Sequence, residues 1–259
     1  MEYVNSILKA VRIIDVIKES GALSYAEILK RYPIPKSTLF KILSTLEAEE
    51  LIRREPERGR YHLGVKLIEW GGYARSRLEI RDISRPIMKE LQEASDCTVH
   101  LSVIADGEVL PIESMEARNW HWHHFKYPVA IGVPAPMYAT GDGKAILAFL
   151  DKKEVDRIIN QKGMERFTST TIPDPLSLEA ELQKIRRFGF AVSNGEHDEM
   201  IRSVAAPIFN DENVVIAALS VLGIFSRITP ERVPEIAEQV MRATAKVSCL
   251  LGHSPRDQD

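Results

Sequence analysis

The chain has 259 residues, of which 44% are hydrophobic, and a formal net charge of -3 at pH 7. This size and composition allow one large apolar core or two modest ones. Its two cysteines, Cys97 and Cys249, are too few for a disulfide framework or a cysteine metal cage. There is no apolar run of ~20 residues and no basic signal-peptide region, so we expect a cytoplasmic protein.

The first predicted element is a helix over residues 6 to 18. Its apolar residues Ile7, Leu8, Val11 and Ile14 recur at helical spacing, which predicts that they form the stripe facing the core. Gly21 is expected to end the helix.

The next segment has the pattern of a helix-turn-helix. Ser24 and Glu27 form the capping box of a short helix that ends near Arg31. Pro33 and Pro35 then predict a tight turn, because proline restricts both its own backbone and the residue before it. A second helix is predicted from about Pro35, with an apolar stripe made by Leu39, Ile42, Leu43 and Leu46.

Five polar residues, Thr45 among them, lie off the core face of this second helix and suit a DNA major groove. Hydroxyl groups near a helix N-terminus bind phosphates, and a lysine one turn further along reaches base edges or phosphate. The predicted contacts are Lys36, Ser37, Thr38 and Lys41.

Two short strand-like runs after this helix surround residues 55 to 59 and predict a hairpin, the wing of a winged helix. Its arginines can neutralise phosphates or enter a minor groove, although two glutamates dilute the positive charge. The arginines predicted to bind DNA are Arg53, Arg58 and Arg60, with Arg54 beside them. A solvent-exposed hairpin or a protein-interaction module is the alternative interpretation.

The charge distribution agrees with a DNA-binding N-terminal part. Residues 1 to 63 hold eleven Lys and Arg against nine Asp and Glu, whereas the rest holds 23 against 28. The basic excess is small, so we expect several copies of the module to bind DNA together.

Residues 65 to 80 predict a connecting helix that is interrupted in pattern by Gly71 and Gly72. Its apolar residues exceed what a bare linker needs, which favours packing against a partner chain. Further on, the pattern predicts helices at 83–93, 142–150, 151–162, 177–188 and 230–251. The predicted strands are 98–104, 109–115, 120–127, 204–209 and 214–222. This order indicates an α+β domain with antiparallel pairing.

Five motifs follow one another along the chain: Lys36-Ser37-Thr38, Gly59-Arg60-Tyr61-x-Leu63-Gly64, Tyr138-Ala139-Thr140-Gly141-x-Gly143-Lys144-Ala145, Gly189-Phe190-Ala191-Val192 and Ala205-Ala206-Pro207-Ile208-Phe209. In this order they resemble the signatures of IclR-type bacterial transcriptional regulators, and the resemblance spans essentially the whole chain. The resemblance implies a winged helix-turn-helix domain (1–64), a linker helix (65–81) and a GAF-like α/β effector-binding domain (82–259). It also implies homodimers that pair into tetramers, operator DNA as partner and a small-molecule effector.

The resemblance also implies an effector pocket between the loop before the Gly-Lys-Ala helix and two late strands. The implied wall residues are His124, Tyr127, Ala135, Gly141, Asp142, Ser193, Ser203, Ser220 and Leu222. Backbone amides at 141–143 and the serine hydroxyls suit a carboxylate ligand.

Asp142 is a departure from the family pattern, because a small residue is common at this place. A carboxylate here repels an anionic ligand unless a cation or donor offsets it, so the effector is expected to differ from simple keto acids. Alternatively, Asp142 caps the helix that begins there, since Asp is a preferred N-cap residue.

Residues 120 to 127 hold three of the seven histidines and two of the three tryptophans. As a strand, this run is a wall or lid of the pocket, or a packing surface against a neighbouring subunit. A third interpretation is a divalent metal site built on His121 and His123 with help from Glu113, Asp142 or His100.

The sequence offers little support for catalysis. His197 follows Glu196, but we find no nucleophile elbow, phosphate loop, dinucleotide fingerprint or His-Glu-x-x-His motif. We therefore expect a ligand-responsive regulator without a cofactor, a repressor of a catabolic operon that answers to a small organic or aromatic acid. The alternative is a metal-dependent or hydrolytic enzyme with an accessory helix-turn-helix, using the histidine-rich run.

Overall fold

The computed structural model describes residues 3–117 and 131–254. The chain divides into two compact units, Met1–Arg77 and Leu78–Asp259, each with its own apolar core. The histidine-rich run, including His121, His123, His124 and Tyr127, lies outside the described residues. No helix in the described ranges is both long and apolar enough to cross a membrane.

The first unit is a winged helix-turn-helix. Its elements are α1 (Asn5–Ser20), β1 (Leu23–Ser24), α2 (Tyr25–Arg31), α3 (Lys36–Ala48), β2 (Ile52–Arg54), β3 (Arg60–Leu63) and α4 (Lys66–Ser76). The predicted capping box is present, with the Ser24 side chain accepting from the Glu27 amide and Glu27 accepting from the Ser24 amide. Pro35 is the N-cap of α3. The three strands form an antiparallel sheet in the order β1-β3-β2.

The predicted core stripe of α1 is wrong for three of its four named residues. Ile7, Leu8 and Val11 are exposed, whereas Ile14 packs against the core beside the buried Ile13 and Ile17. The pair 13 and 17 is one helical turn apart and faces the core that contains α3, whereas the first two turns of α1 leave their apolar side chains in solvent. The helical spacing of these residues correctly predicted that they share an apolar face. It did not predict whether another part of the chain covers that face.

The connecting helix is shorter than predicted. α4 ends at Ser76, and Leu78 has extended backbone angles that separate it from the next helix, which begins at Glu79. None of the residues of α4 is buried, and its Ile68 is 76% exposed. The packing inferred for this helix is therefore not provided within the described chain.

The second unit is an antiparallel sheet with helices on both faces. Its helices are α5 (Glu79–Ser95), α6 (Gly141–Leu147), α7 (Lys152–Lys162), α8 (Pro175–Phe188) and α9 (Val233–Leu250). Its strands are β4 (Thr98–Ala105), β5 (Glu108–Met115), β6 (Ala135–Pro136), β7 (Ala191–Asn194), β8 (Ile201–Phe209) and β9 (Val215–Ile224). In the described ranges the strand order is β6-β5-β4-β9-β8-β7. The α+β class predicted from the sequence is confirmed.

The two faces of this sheet have separate cores. One core combines α5 and α9 with residues such as Val99, Leu101 and Leu219, and the other combines α6, α7 and α8 with Val109 and Ala218. Because side chains alternate along a strand, each of β4, β5, β7, β8 and β9 contributes to both cores. On the face covered by α6, α7 and α8, polar side chains lie close together near the start of α6.

Candidate functional site

The exposed face of α3 carries the residues predicted to contact DNA. Lys36, Ser37 and Lys41 are exposed and Thr38 is half-buried. The Tyr25 hydroxyl donates to the Lys36 carbonyl at 2.8 Å, which ties the start of α3 to α2. The buried side of the helix holds Leu39, Leu43 and Leu46, as the apolar stripe predicted.

Phe40 lies on the same exposed face, and the sequence reasoning missed it. Its side chain is 64% exposed, between the lysines at 36 and 41. The signal was its place in the pattern: Phe40 follows core residue Leu39 and lies outside the spacing of the apolar stripe. An exposed aromatic ring on such a helix suits contact with a thymine methyl group.

The wing contains two kinds of arginine. Arg53, Arg54 and Arg58 are exposed, and the Arg54 guanidinium lies 5.7 Å from the centre of the Tyr61 ring. Arg60 instead donates to both carboxylate oxygens of Glu27, at 2.9 and 3.0 Å. Hydrogen bonds from the Ser24 backbone and side chain, helped by Arg60, lower the pKa of Glu27 to about 2. Arg60 thereby fastens the wing to the first turn of α2.

The second unit contains a cavity of about 100 Å³ at the start of α6, on the face of the sheet opposite α5 and α9. Its floor is a set of cross-strand neighbours. His100 of β4 is opposite Ser220 of β9, Leu222 of β9 is opposite Ser203 of β8, and Ser203 is opposite Ser193 of β7. Directly opposite residues share a face of the sheet, so this register brings together side chains far apart in sequence.

Most of the predicted pocket residues that the structure describes line this cavity. They are Ala135, Asp142, Ser193, Ser203, Ser220 and Leu222. Gly141 lies against the floor without being part of the lining. A Cβ at this position would be 2.5 Å from the Ser203 Oγ, so only glycine fits without a shift.

Asp142 does not cap α6, contrary to the alternative interpretation of this residue. The N-cap is Thr140, whose side chain accepts from the Gly143 amide at 3.2 Å. The buried carboxylate of Asp142 instead accepts a hydrogen bond from the Ser102 hydroxyl at 2.6 Å. Ser102 comes from β4, so this bond joins the first turn of α6 to the sheet.

Two histidines also line the cavity, and the sequence reasoning did not place either in it. Burial lowers the pKa of His100 to about 4, although the nearby Asp142 charge opposes this shift. Burial also lowers the pKa of His197, whose ring packs edge-on against Phe167 with centroids 4.7 Å apart. Both imidazoles are therefore neutral near pH 7, and they provide one donor and one acceptor each.

His197 and Asp198 line the cavity from a loop that three threonine hydroxyls hold by hydrogen bonds. The hydroxyls of Thr168 and Thr170 donate to the Gly195 carbonyl at 2.7 and 2.8 Å, and Thr171 donates to the Glu196 carbonyl at 2.6 Å. These three threonines belong to a segment that carried no recognised motif. Their bonds make the loop part of the cavity wall.

A buried ion pair holds the same loop. Lys144 of α6 is fully buried, and its ammonium donates to Glu196 at 2.6 Å and to the Val192 carbonyl at 2.8 Å. Burial raises the pKa of the Glu196 carboxyl, and the adjacent ammonium works against that rise. The pair connects the helix that carries Asp142 to the loop that carries His197.

Glu113, considered as a helper for a metal at the histidine-rich run, is on the other face of the sheet. The β4–β5 register shifts between Leu101 and Ser102, which places Glu113 opposite Leu101, a residue of the α5–α9 core. There its carboxylate pairs with Arg81 of α5 at 2.7 Å. Among the residues that the structure describes, no group of three or more His, Cys, Asp or Glu could hold a metal ion.

Comparison with known proteins identifies the family. The model of the IclR helix-turn-helix domain matches residues 6–56, and that of the bacterial transcriptional regulator IclR C-terminal domain matches residues 73–249. The chain is 29% identical to the transcriptional repressor IclR of Escherichia coli K12, over 96% of this chain and 90% of that protein. It is 30% identical to the transcriptional regulator XynR of the same organism, over 98% and 99% of the two chains.

Solved structures agree with the sequence comparisons. The crystal structure of Thermotoga maritima IclR matches with a TM-score of 0.70 and 30% identity, over 97% of this chain and all of that chain. An IclR homologue from Microbacterium hydrocarbonoxydans complexed with 4-hydroxybenzoate has the same fold, with a TM-score of 0.76 and 22% identity over 96% and 100% of the chains. These relatives are transcriptional regulators and not enzymes, which decides against the enzyme alternative. The chain belongs to the IclR family of bacterial transcriptional regulators.

Proposed function

We propose that this regulator is a repressor of a catabolic operon that binds operator DNA through the exposed face of α3 and the wing. The observation that carries this proposal is the exposed set of Lys36, Ser37 and Lys41 at the start of a helix whose opposite side is fully packed. Thr38, Arg53 and Arg58 complete the proposed contacts. Arg60 has a positioning role, because its guanidinium is engaged by Glu27.

The proposed effector site is the cavity at the start of α6. A floor of hydroxyl and imidazole groups under a wall of apolar side chains has the composition typical of small-molecule sites. A structural relative is complexed with 4-hydroxybenzoate, which supports a small organic or aromatic acid as the ligand class. His124 and Tyr127 remain proposed wall residues, and we propose no cofactor.

We further propose a homodimer that pairs into a tetramer, acting in the cytoplasm where the operator lies. The support is the apolar surface that the first unit leaves in solvent. These exposed side chains are Tyr3, Val4, Ile7, Leu8 and Val11 on and before α1, and Val65, Ile68, Trp70 and Tyr73 on and before α4. Apolar surface of this extent is typical of protein interfaces. We also keep the proposed division into residues 1–64, 65–81 and 82–259.

Effector binding changes the affinity for DNA only if the effector prefers one arrangement of the protein over another. The test is a gel-shift titration of the DNA upstream of the protein's own gene and of neighbouring genes, with and without a panel of small carboxylic acids. We expect a salt-sensitive complex that one class of compound weakens. Absence of any DNA complex at 50 mM salt would refute the proposal.

A further inference from the structure

The lining of the cavity includes a carboxylate that is held in place. Asp142 is 8% exposed, and its Oδ2 accepts a hydrogen bond from the Ser102 hydroxyl at 2.6 Å. Ser102 is itself fully buried in β4. The carboxylate is therefore a hydrogen-bond acceptor whose place is set by the fold before any ligand enters.

The described surroundings do not neutralise this carboxylate with a positive charge. The described lining contains a second acid, Asp198, and neither lysine nor arginine. His100 in the floor is neutral at pH 7, because burial lowers its pKa to about 4. Lys144, two residues after Asp142, directs its ammonium to Glu196 and the Val192 carbonyl. A ligand carboxylate placed beside Asp142 would therefore meet like charge.

The remaining polar groups of the lining suit a hydroxyl. Ser203 and Ser220 each offer one donor and acceptor lone pairs, and the neutral imidazole of His100 offers one of each. An ammonium group can only donate, so it would leave the donors of these side chains without partners. The rest of the wall is apolar and suits a carbon skeleton: Val109, Pro111, Val133, Pro134, Ala135, Ile201 and Leu222.

We propose that the effector presents a hydroxyl group to Asp142 and keeps any carboxylate at its opposite end. This inference rests on the proposed effector role of the cavity and narrows the ligand class to hydroxylated compounds. Asp142 is then the residue that determines specificity, because it accepts a hydrogen bond from the ligand hydroxyl and excludes an acid at that position.

The experiment is calorimetry on the full-length protein with benzoate, 4-hydroxybenzoate and 4-hydroxybenzyl alcohol, and with lactate and 1,2-propanediol as an aliphatic acid and alcohol pair. We expect at least one hydroxylated aromatic compound to bind at least tenfold more tightly than benzoate. Asp142→Ala should abolish this preference without weakening benzoate, and Asp142→Asn, which keeps an acceptor oxygen, should retain part of it.

Asp156→Asn is the matched control, because it removes an equal charge from an exposed position on α7 that is not part of this lining. It should leave the hydroxyl preference intact. Equal or tighter binding of benzoate by the wild type, a preference that survives Asp142→Ala, or binding of none of the hydroxylated compounds would each overturn the inference. The gel shift separates the two proposals: a DNA complex that answers to benzoate alone leaves the regulator function standing and removes only the hydroxyl assignment.

Discussion

Replacing Lys144 with methionine tests whether the buried ion pair holds the cavity wall. Methionine keeps most of the volume of the side chain but removes the ammonium that lies 2.6 Å from Glu196. The Glu196 carboxylate then stays buried with no cation beside it, and its Oε2 already has no hydrogen-bond partner. Breaking a buried pair in this way costs about 3–5 kcal/mol.

That cost is a large part of the ~5–15 kcal/mol by which a typical domain is stable. In a domain of this size one kcal/mol lowers Tm by roughly 2–4 °C, so Lys144→Met should lower it by roughly 10 °C. Calorimetry and circular dichroism measure this shift. Ligand affinity should fall as well, because the loop with His197 and Asp198 loses its link to α6.

The pH dependence of this penalty identifies its cause. Burial raises the pKa of Glu196, so the folded protein favours the protonated carboxyl, and this contribution to stability is lost as pH rises through that pKa. Without Lys144 the cation that opposes the rise is gone and only the Asn194 amide still lowers this pKa, so the penalty should be smaller at pH 5 than at pH 8. Adding Glu196→Gln should recover a large part of it. The reasoning fails if Tm is unchanged, or if the loss is equal at both pH values and Glu196→Gln does not relieve it.

Four other changes test separate parts of the structure. His100→Gln should flatten the acid side of the stability profile. The neutral imidazole contributes stability that is complete above its unfolded pKa of 6.5 and is lost as pH falls toward 4, which amounts to about 3 kcal/mol. Urea unfolding at several pH values measures this loss, and an unchanged slope would contradict the reasoning. Gly141→Ala should lower the free energy of unfolding by about 1–3 kcal/mol, and Ser203→Ala should restore it, because only the Ser203 Oγ is closer than 3 Å to the new methyl group. A double variant no more stable than Gly141→Ala alone would count against this clash. Phe40→Ala should reduce discrimination between operator and random DNA in gel shifts, whereas Lys41→Ala should weaken both complexes and lower the salt dependence of binding. If the two variants lost affinity for operator and random DNA equally, Phe40 would not be a base contact distinct from the phosphate contact of Lys41. Arg60→Ala should lower the Tm of the protein and weaken DNA binding only in proportion, and loss of DNA binding at unchanged Tm would restore Arg60 as a direct contact.

The first unit could be predicted well because its signals are local. A capping box joins residues three apart, and proline acts on its own residue and the one before, so Ser24, Glu27 and Pro35 give the helix bounds directly. The apolar stripe of α1 could not be assigned in the same way. Helical spacing shows that Ile7 and Val11 share a face, but burial depends on what lies opposite, and the described part of the chain does not cover these two side chains.

The cavity, in contrast to the first unit, depends on contacts between residues far apart in sequence. Family motifs led to Ser193, Ser203 and Ser220, yet the neighbours that decide their chemistry come from pairing registers that no local pattern contains. His100 joins the floor because it is opposite Ser220, and Ser102, two residues on, therefore meets Asp142. The single register shift after Leu101 sends Glu113 to the other face and to Arg81, which removes one acid from the cavity side. The sheet register thus decides which carboxylates face a ligand. The charge of the cavity therefore could not be predicted from local sequence patterns.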